Sequence, residues 1–280
     1  VLYFGYLVAS LVTAIVPRTL AYWLADLVGD IWYAASPSLR RNLDHNLALI
    51  PSLAQDQARR RKVAHKAVRN FAEAVADFLY LPRTNLKNLR AYVDIESFER
   101  IREALGGRPA IVVTAHLGNW ELAAAAAAMI GIDLHVIVYD HPDRRIAAIF
   151  RKRREAKGLK VLSVRSTARN LSSVLDTSSL GIAADRDFTG QGMPARFFGA
   201  LTTVPSAYAG LAVSKGVPVI PVFCLRQEDG KYRLDSEQPI LARPADGPGT
   251  EAIVAECLRA FEKYVEKYPE QWYRFDKIGE

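Results

Sequence analysis

The residues best placed for acid–base chemistry lie in Thr114-Ala115-His116-Leu117-Gly118-Asn119-Trp120-Glu121. The apolar run Ala110 to Ala115 reads as a short buried strand, and Asn119 to Ile130 reads as an Ala-rich helix. His116 therefore falls at a strand-to-helix turn, the place where open α/β sheets put their sites. An imidazole there can accept a proton if a carboxylate fixes its tautomer and stabilises the imidazolium. Two carboxylates are candidates. Glu121 follows inside the first helical turn and reaches His116 if that turn folds back, with Gly118 permitting the tight bend. Asp185 ends a second strand, Leu180 to Asp185, and opens the polar loop Arg186-Asp187-Phe188-Thr189-Gly190-Gln191-Gly192. In that loop Arg186 can hold an anionic group or pair with either aspartate. Spacing alone does not decide, because a His-x4-Glu pair also describes a capping histidine beside a surface acid. The second loop likewise reads as an ordinary acidic turn.

Other chemistries lose ground. The sequence has no G-x-S-x-G elbow, no phosphate-binding P-loop and no complete G-x-G-x-x-G. His45, His65, His135 and His141 are scattered, and Cys224 and Cys257 form no C-x-x-C or zinc spacing. That argues against a metal site and a disulfide scaffold, and favours a reduced setting.

The elements that must position these residues alternate. After the first strand and helix come Leu134 to Tyr139 (strand), Pro142 to Lys157 (basic helix), Lys160 to Val164 (strand) and Ser166 to Asp176 (helix). Beyond Asp185, Pro205 to Lys215 reads as helix and Val217 to Phe223 as strand. Tyr232 to Asp235 reads as a further strand, and Glu251 to Lys267 as a closing amphipathic helix. Strands alternating with helices predict an α/β fold with a central, mostly parallel sheet flanked by helices. An N-terminal apolar and amphipathic helical region precedes it. Its long helix, Ala54 to Tyr80, carries the apolar stripe Val63, Ala67, Phe71, Val75 and Phe78. The expected divisions are a membrane-associated helical segment at 1–36, an amphipathic helical region at 37–105 packed on the body, and the α/β body at 106–280.

Composition bears on partners. The chain has 280 residues, 50% of them hydrophobic, and a formal net charge of +7. Basic and apolar together suggest nucleic acid, an acidic substrate or an anionic membrane. Residues 141–170 hold ten Lys or Arg against two acids, whereas Val1 to Val16 carry no charge. This first run is shorter than the about 20 residues of a spanning helix, although a preceding segment would extend it. It lacks the basic leader and cleavage site of a signal peptide. With the second apolar stretch, Leu20 to Tyr33, it reads either as two core helices or as an interfacial hairpin. Tyr3, Phe4, Tyr6, Tyr22, Trp23, Trp32 and Tyr33 suit the interface.

AHLGNWE, with His116 and Glu121, resembles the His-x4-Asp/Glu signature of the glycerolipid acyltransferases. Its Gly-Asn-Trp centre is typical of the bacterial lipid A lauroyl/myristoyl acyltransferases and the related phosphatidylinositol mannoside acyltransferases. ADRDFTGQGMPARFFG, Thr203-Val204-Pro205 and LAVSKGVPVIPVF resemble the second half of that family. Arg40-Arg41-Asn42 to Pro51 resembles its front, so the likeness covers nearly the whole chain. The resemblance implies transfer of a fatty acyl group from an acyl-CoA or acyl-ACP thioester, with no further cofactor, to a hydroxyl of a glycolipid. His116 would be the general base, with Glu121 orienting it and Asp185 assisting or replacing Glu121. Leu117 to Asn119 would supply N–H donors to the oxyanion, and Arg154 or Arg186 would hold phosphate. Asn119, Trp120, Asp187, Phe197 and Phe198 complete the implied substrate contacts, although the two phenylalanines serve equally as core. The implied location is the cytoplasmic face of the inner membrane, on a lipid surface and without nucleic acid. One departure stands out: the Glu-Gly-Thr-Arg phosphate motif of the glycerol-phosphate branch is absent, which favours a glycolipid acceptor. A thioesterase, with water as acceptor, and a non-catalytic basic membrane- or nucleic-acid-binding protein are the competing classes.

Overall fold

The computed structural model describes residues 2–164, 166, 168–242 and 249–279. Four helices lead: α1 (Leu2–Ile15), α2 (Arg18–Ala35), α3 (Pro37–Ala48) and α4 (Gln57–Tyr80). Short α5 (Leu86–Leu89) and α6 (Ile95–Leu105) follow. Then come β1 (Ile111–Thr114), α7 (Trp120–Met129), β2 (Leu134–Val138), α8 (Arg144–Glu155), β3 (Lys160–Ser163), α9 (Ala168–Val174) and β4 (Ser179–Ala183). A hairpin of β5 (Met193–Phe197) and β6 (Ala200–Val204) precedes α10 (Ala207–Lys215), β7 (Val219–Arg226), β8 (Tyr232–Ser236) and α11 (Thr250–Lys267).

Six strands make one sheet in the order β3-β2-β4-β1-β7-β8, parallel except for the edge strand β8. Helices cover both faces, as a parallel sheet requires. Ile111, Val113, Leu180, Val219 and Phe223 pack with α10 and α11, against Ala209, Ile253, Cys257 and Phe261. Leu134, Ile220 and Val222 pack on the other face with Phe98 of α6 and with Leu122, Ala125 and Ala126 of α7. Each large apolar side chain fully buried this way contributes about 1.5–3 kcal/mol.

The expected α/β architecture is the observed one. The β5–β6 hairpin was not expected: the Phe197-Phe198-Gly199 run read as apolar loop surface. Its turn places Phe198 at φ 47° and Gly199 at φ 77°, so glycine fills one of two left-handed positions.

The front helices carry apolar side chains on their outer faces. On α1, Phe4, Val8, Leu11 and Ile15 are exposed, and on α2 so are Leu20, Trp23, Leu27 and Ile31. These spacings of three and four form one outward stripe per helix, so the stripes are not core. Pro17 separates the helices, and Arg83 Nη1 caps α1 by donating to the carbonyls of Thr13 and Val16 at 3.0 and 2.7 Å. The inward face of α2 is small: Ala21, Ala25 and Gly29 are buried against α4. At Gly29 a Cβ would come 3.1 Å from Arg69 Cα, so the two helices are close enough there to favour glycine. Among the described residues, no helix is long and apolar enough to cross a membrane.

Candidate functional site

Register brings the chemistry together. β1 and β4 are adjacent and parallel, with Thr114 opposite Ala183. His116 and Asp185 each lie two residues beyond that pair, on neighbouring turns at the same sheet edge. His116 Nδ1 stands 2.7 Å from Asp185 Oδ1, and the His116 backbone N–H donates to the same oxygen at 3.0 Å. An ionised carboxylate only accepts, so Nδ1 is the donor of this contact. Asp185 is buried, and its Oδ2 faces the Trp272 indole N–H at 3.4 Å. Burial opposes its ionisation, but the charge and hydrogen bonds of His116, together with Arg274, outweigh burial and hold the carboxyl below its ordinary value. Arg274 also donates to the Asp185 carbonyl at 2.6 Å.

The partner of His116 is therefore Asp185, not Glu121. Glu121 points into a different pair: Arg154 Nε and Nη2 reach its two oxygens at 2.9 and 2.5 Å. The helical turn does not fold back, because Asn119 starts α7 in ordinary fashion, its Oδ1 accepting from the Leu122 N–H at 3.0 Å. Arg154 lies 5.6 Å from the ring centres of both Phe78 and Phe150. It is a cation already matched by a carboxylate. Arg186 is also matched, to Asp276 at 3.0 Å, and sits over the Phe188 ring at 4.3 Å.

The amides of Leu117, Gly118 and Asn119 are spent inside the protein, which corrects the expectation that they face an oxyanion. They donate to the carbonyls of Ala115, Gln271 and Cys224 at 2.7, 2.8 and 2.9 Å. Gly118 is at φ 67°, and a Cβ there would meet the Cys224 carbonyl oxygen at 2.1 Å, so only glycine fits this turn. The Tyr273 N–H holds the His116 carbonyl at 2.8 Å, so the C-terminal segment clamps the turn from the other side.

His116, Trp120, Glu121 and Arg154 line a cavity of about 510 Å³ whose remaining walls are mostly apolar. Val112, Ala123, Ala127, Leu134, Val136 and Gly181 are among them. A second cavity of about 520 Å³ shares Tyr139 and Val164 with the first and adds His141, Arg144 and Arg151. Among the described residues, no group of three or more His, Cys, Asp or Glu could hold a metal ion.

The family model of the bacterial lipid A biosynthesis acyltransferases matches residues 1–277. The chain belongs to this family. It is 28% identical over 198 residues to a phosphatidylinositol mannoside acyltransferase of Mycolicibacterium smegmatis, which covers 69% of this chain and 64% of that protein. It is 25% identical over 194 residues to the protein of the same name in Mycobacterium tuberculosis, covering 66% of this chain and 60% of that one. The match thus spans under two thirds of the length of these curated relatives.

In this member of the family, the remaining expected residues divide. Trp120 sits edge-on to His116, ring centres 5.0 Å apart, and Asp187 lines the cavity while bonding Thr189 and Gly192 within its own loop. Asn119 is buried as a helix cap and does not line the cavity. Phe197 and Phe198 do not line it either; they pack against Trp272 with ring centres 5.7 and 6.4 Å away. Phe188 takes the place expected of them, 5.8 Å from the His116 ring and stacked on Tyr139 at 5.1 Å. Tyr139 and Phe188 each lie one to five residues beyond the C-terminal end of a strand, and Phe188 also lies within ADRDFTG; those were the available signals.

Proposed function

We propose that this chain moves a fatty acyl group from a thioester to a hydroxyl of a glycolipid of the phosphatidylinositol mannoside type. The observation that carries the reading is the His116–Asp185 pair at the mouth of an apolar cavity of about 510 Å³. His116 Nε2 removes the proton from the acceptor hydroxyl as its oxygen attacks the thioester carbonyl. The tetrahedral oxyanion collapses, the C–S bond breaks, and the thiolate leaves with the proton from His116. Asp185 holds the tautomer and stabilises the imidazolium between these steps. Base assistance of this kind gives about 10²- to 10⁴-fold in rate. The acyl chain occupies the apolar cavity, and Trp120 and Phe188 flank the reacting carbon.

Arg154 and Arg186 are ion-paired, so the phosphate of a coenzyme A or acyl-carrier-protein donor is better served by the second cavity, beside Arg144. The two exposed stripes of α1 and α2 seat the chain on the inner-membrane lipid surface, where the acceptor is found. An exposed apolar surface of this kind marks an interaction site. Relatives named for phosphatidylinositol mannoside acylation support this acceptor over a lipid A precursor.

Mass spectrometry of membrane lipids incubated with purified protein and an acyl thioester tests the proposal. An acylated glycolipid that is absent with His116→Ala is the expected result. Release of free fatty acid alone would make the chain a thioesterase, and no consumption of thioester would refute enzymatic acyl transfer.

A further inference from the structure

Asp77 is a carboxylate inside α4 that the chemistry above does not use, and it is 3% exposed. It accepts from Arg18 Nε at 2.8 Å and from the Tyr22 hydroxyl at 2.7 Å, both on α2. It also accepts from Asn119 Nδ2 at 3.0 Å. Arg18 and Tyr22 lie on the inward side of the helix whose outward side presents Leu20, Trp23 and Leu27. Asn119 is the cap that starts α7, three residues after His116 and two before Glu121. One turn earlier on α4, Glu73 pairs with Arg226, which lies over the Tyr22 ring at 5.0 Å. The Arg226 backbone exchanges two hydrogen bonds with the Gln271 side chain, at 3.0 and 2.9 Å, and the Gln271 carbonyl receives the Gly118 N–H. Two links thus run from the inner face of the hairpin, through one face of α4, to the catalytic turn.

We infer that Asp77 is a positioning residue that couples the seat of the α1–α2 hairpin to the His116 turn, so that lipid contact on the hairpin sets the turnover at the site. The inference rests on the membrane-seated acyltransferase reading above. A buried carboxylate shared by three donors cannot lose one without re-aiming the others, because each orphaned polar group carries a desolvation penalty. Movement of α2 on a lipid surface therefore reaches Asn119, and through it the start of α7.

The test compares two presentations of one reaction by the full chain. Thiol release from a long-chain acyl-coenzyme A is measured with mycobacterial phosphatidylinositol mannosides in detergent micelles. It is measured again with the same acceptor in vesicles of phosphatidylglycerol and phosphatidylcholine in equal parts. Wild type is expected to turn over faster on vesicles. Tyr22→Phe removes one hydroxyl that Asp77 and Arg18 share; it should lower the micellar kcat only slightly and lose about tenfold of the vesicle stimulation in kcat, with KM little changed, a size usual for coupled sites. Asp77→Asn should lose the stimulation too and also lower the micellar kcat. Equal losses in both presentations, in step with a lower Tm, would mean a purely structural role and overturn the inference. So would full vesicle stimulation in Tyr22→Phe, or none in wild type. Absence of acyl transfer by wild type in either presentation would instead remove the underlying functional reading.

Discussion

The α1–α2 hairpin and the β1–β4–β7 core are similarly apolar in sequence, yet they are built inside out from one another. In the sheet the apolar side chains face inward: Ile111, Val113, Leu180, Val219 and Phe223 are all fully buried. In the hairpin the apolar stripes face outward, and the inner seam against α4 combines small residues with polar pairs. There Arg18 meets Asp77 at 2.8 Å, Arg69 meets Asp26 at 2.5 Å and His65 meets Asp30 at 2.7 Å. The contrast shows that hydrophobicity alone does not place a segment; the direction of its stripe does. These pairs join the hairpin to α4 while its apolar stripes stay exposed. The His116 turn lies where the two kinds of packing meet.

Substitutions at that junction should have the largest effects. His116→Ala is expected to lower acyl transfer by about 10²- to 10⁴-fold, the usual worth of a general base, with a small fall in Tm by differential scanning calorimetry because buried Asp185 loses one donor. A large fall in Tm would place His116 in the structural scaffold instead. Gly118→Ala should cost stability as well as activity, about 2–4 kcal/mol by urea unfolding, since it combines a left-handed backbone with a backbone clash.

The polar seam predicts a pH dependence that an apolar core would not show. Burial pushes the Glu73 carboxyl up to about 7, against the pull of Arg226. Folding therefore favours its protonated form. The associated stability is full below about pH 4.5 and is lost as pH rises through about 7. Relative to Glu73→Gln, wild type should lose up to about 3 kcal/mol between those limits. Parallel unfolding curves of the two proteins at every pH would show that Glu73 does not titrate in this window.

The smallest effect on folding is expected on the outer stripes. Replacing Leu11 and Trp23 by serine should change Tm by no more than a surface mutation does, about 0.5 kcal/mol. Sedimentation with anionic vesicles should nevertheless weaken, by about 1.5–3 kcal/mol for each apolar side chain withheld from lipid. Unchanged vesicle binding would leave the exposed stripes without this role.

Most strands and helices were legible because their periodicities are local. Ala110 to Ala115 and Leu180 to Asp185 are short apolar runs, and Ala54 to Tyr80 repeats its stripe at helical spacing. The β5–β6 turn escaped because Phe198-Gly199 lacks the Asn-Gly or Asp-Gly chemistry that marks a tight hairpin. The site was half legible. His116 was visible from its place after a strand, and Asp185 and Glu121 both stood as partners, but the choice between them was not legible. Glu121 is the near neighbour in sequence, whereas Asp185 becomes the neighbour only once β4 pairs beside β1 in register. The spent amides of Leu117 to Asn119 were hidden for the same reason, since two of their acceptors, Gln271 and Cys224, lie more than a hundred residues away. Arg154 read as a phosphate ligand, and Arg186 as either that or the partner of a neighbouring aspartate, because the acids that match them, Glu121 and Asp276, are distant in the chain.

If His116 acts with Asp185 as a unit while Glu121 serves Arg154, the kcat of acyl transfer should show it in His116→Ala, Asp185→Asn, Glu121→Gln and the His116→Ala/Asp185→Asn double variant. Asp185→Asn should fall by orders of magnitude, and the double variant should be no worse than His116→Ala, since residues acting as one unit are not additive. Glu121→Gln should lose less than Asp185→Asn and add its loss to that of His116→Ala. Near-normal turnover in Asp185→Asn, with Glu121→Gln coupled to His116→Ala in its place, would contradict this pairing.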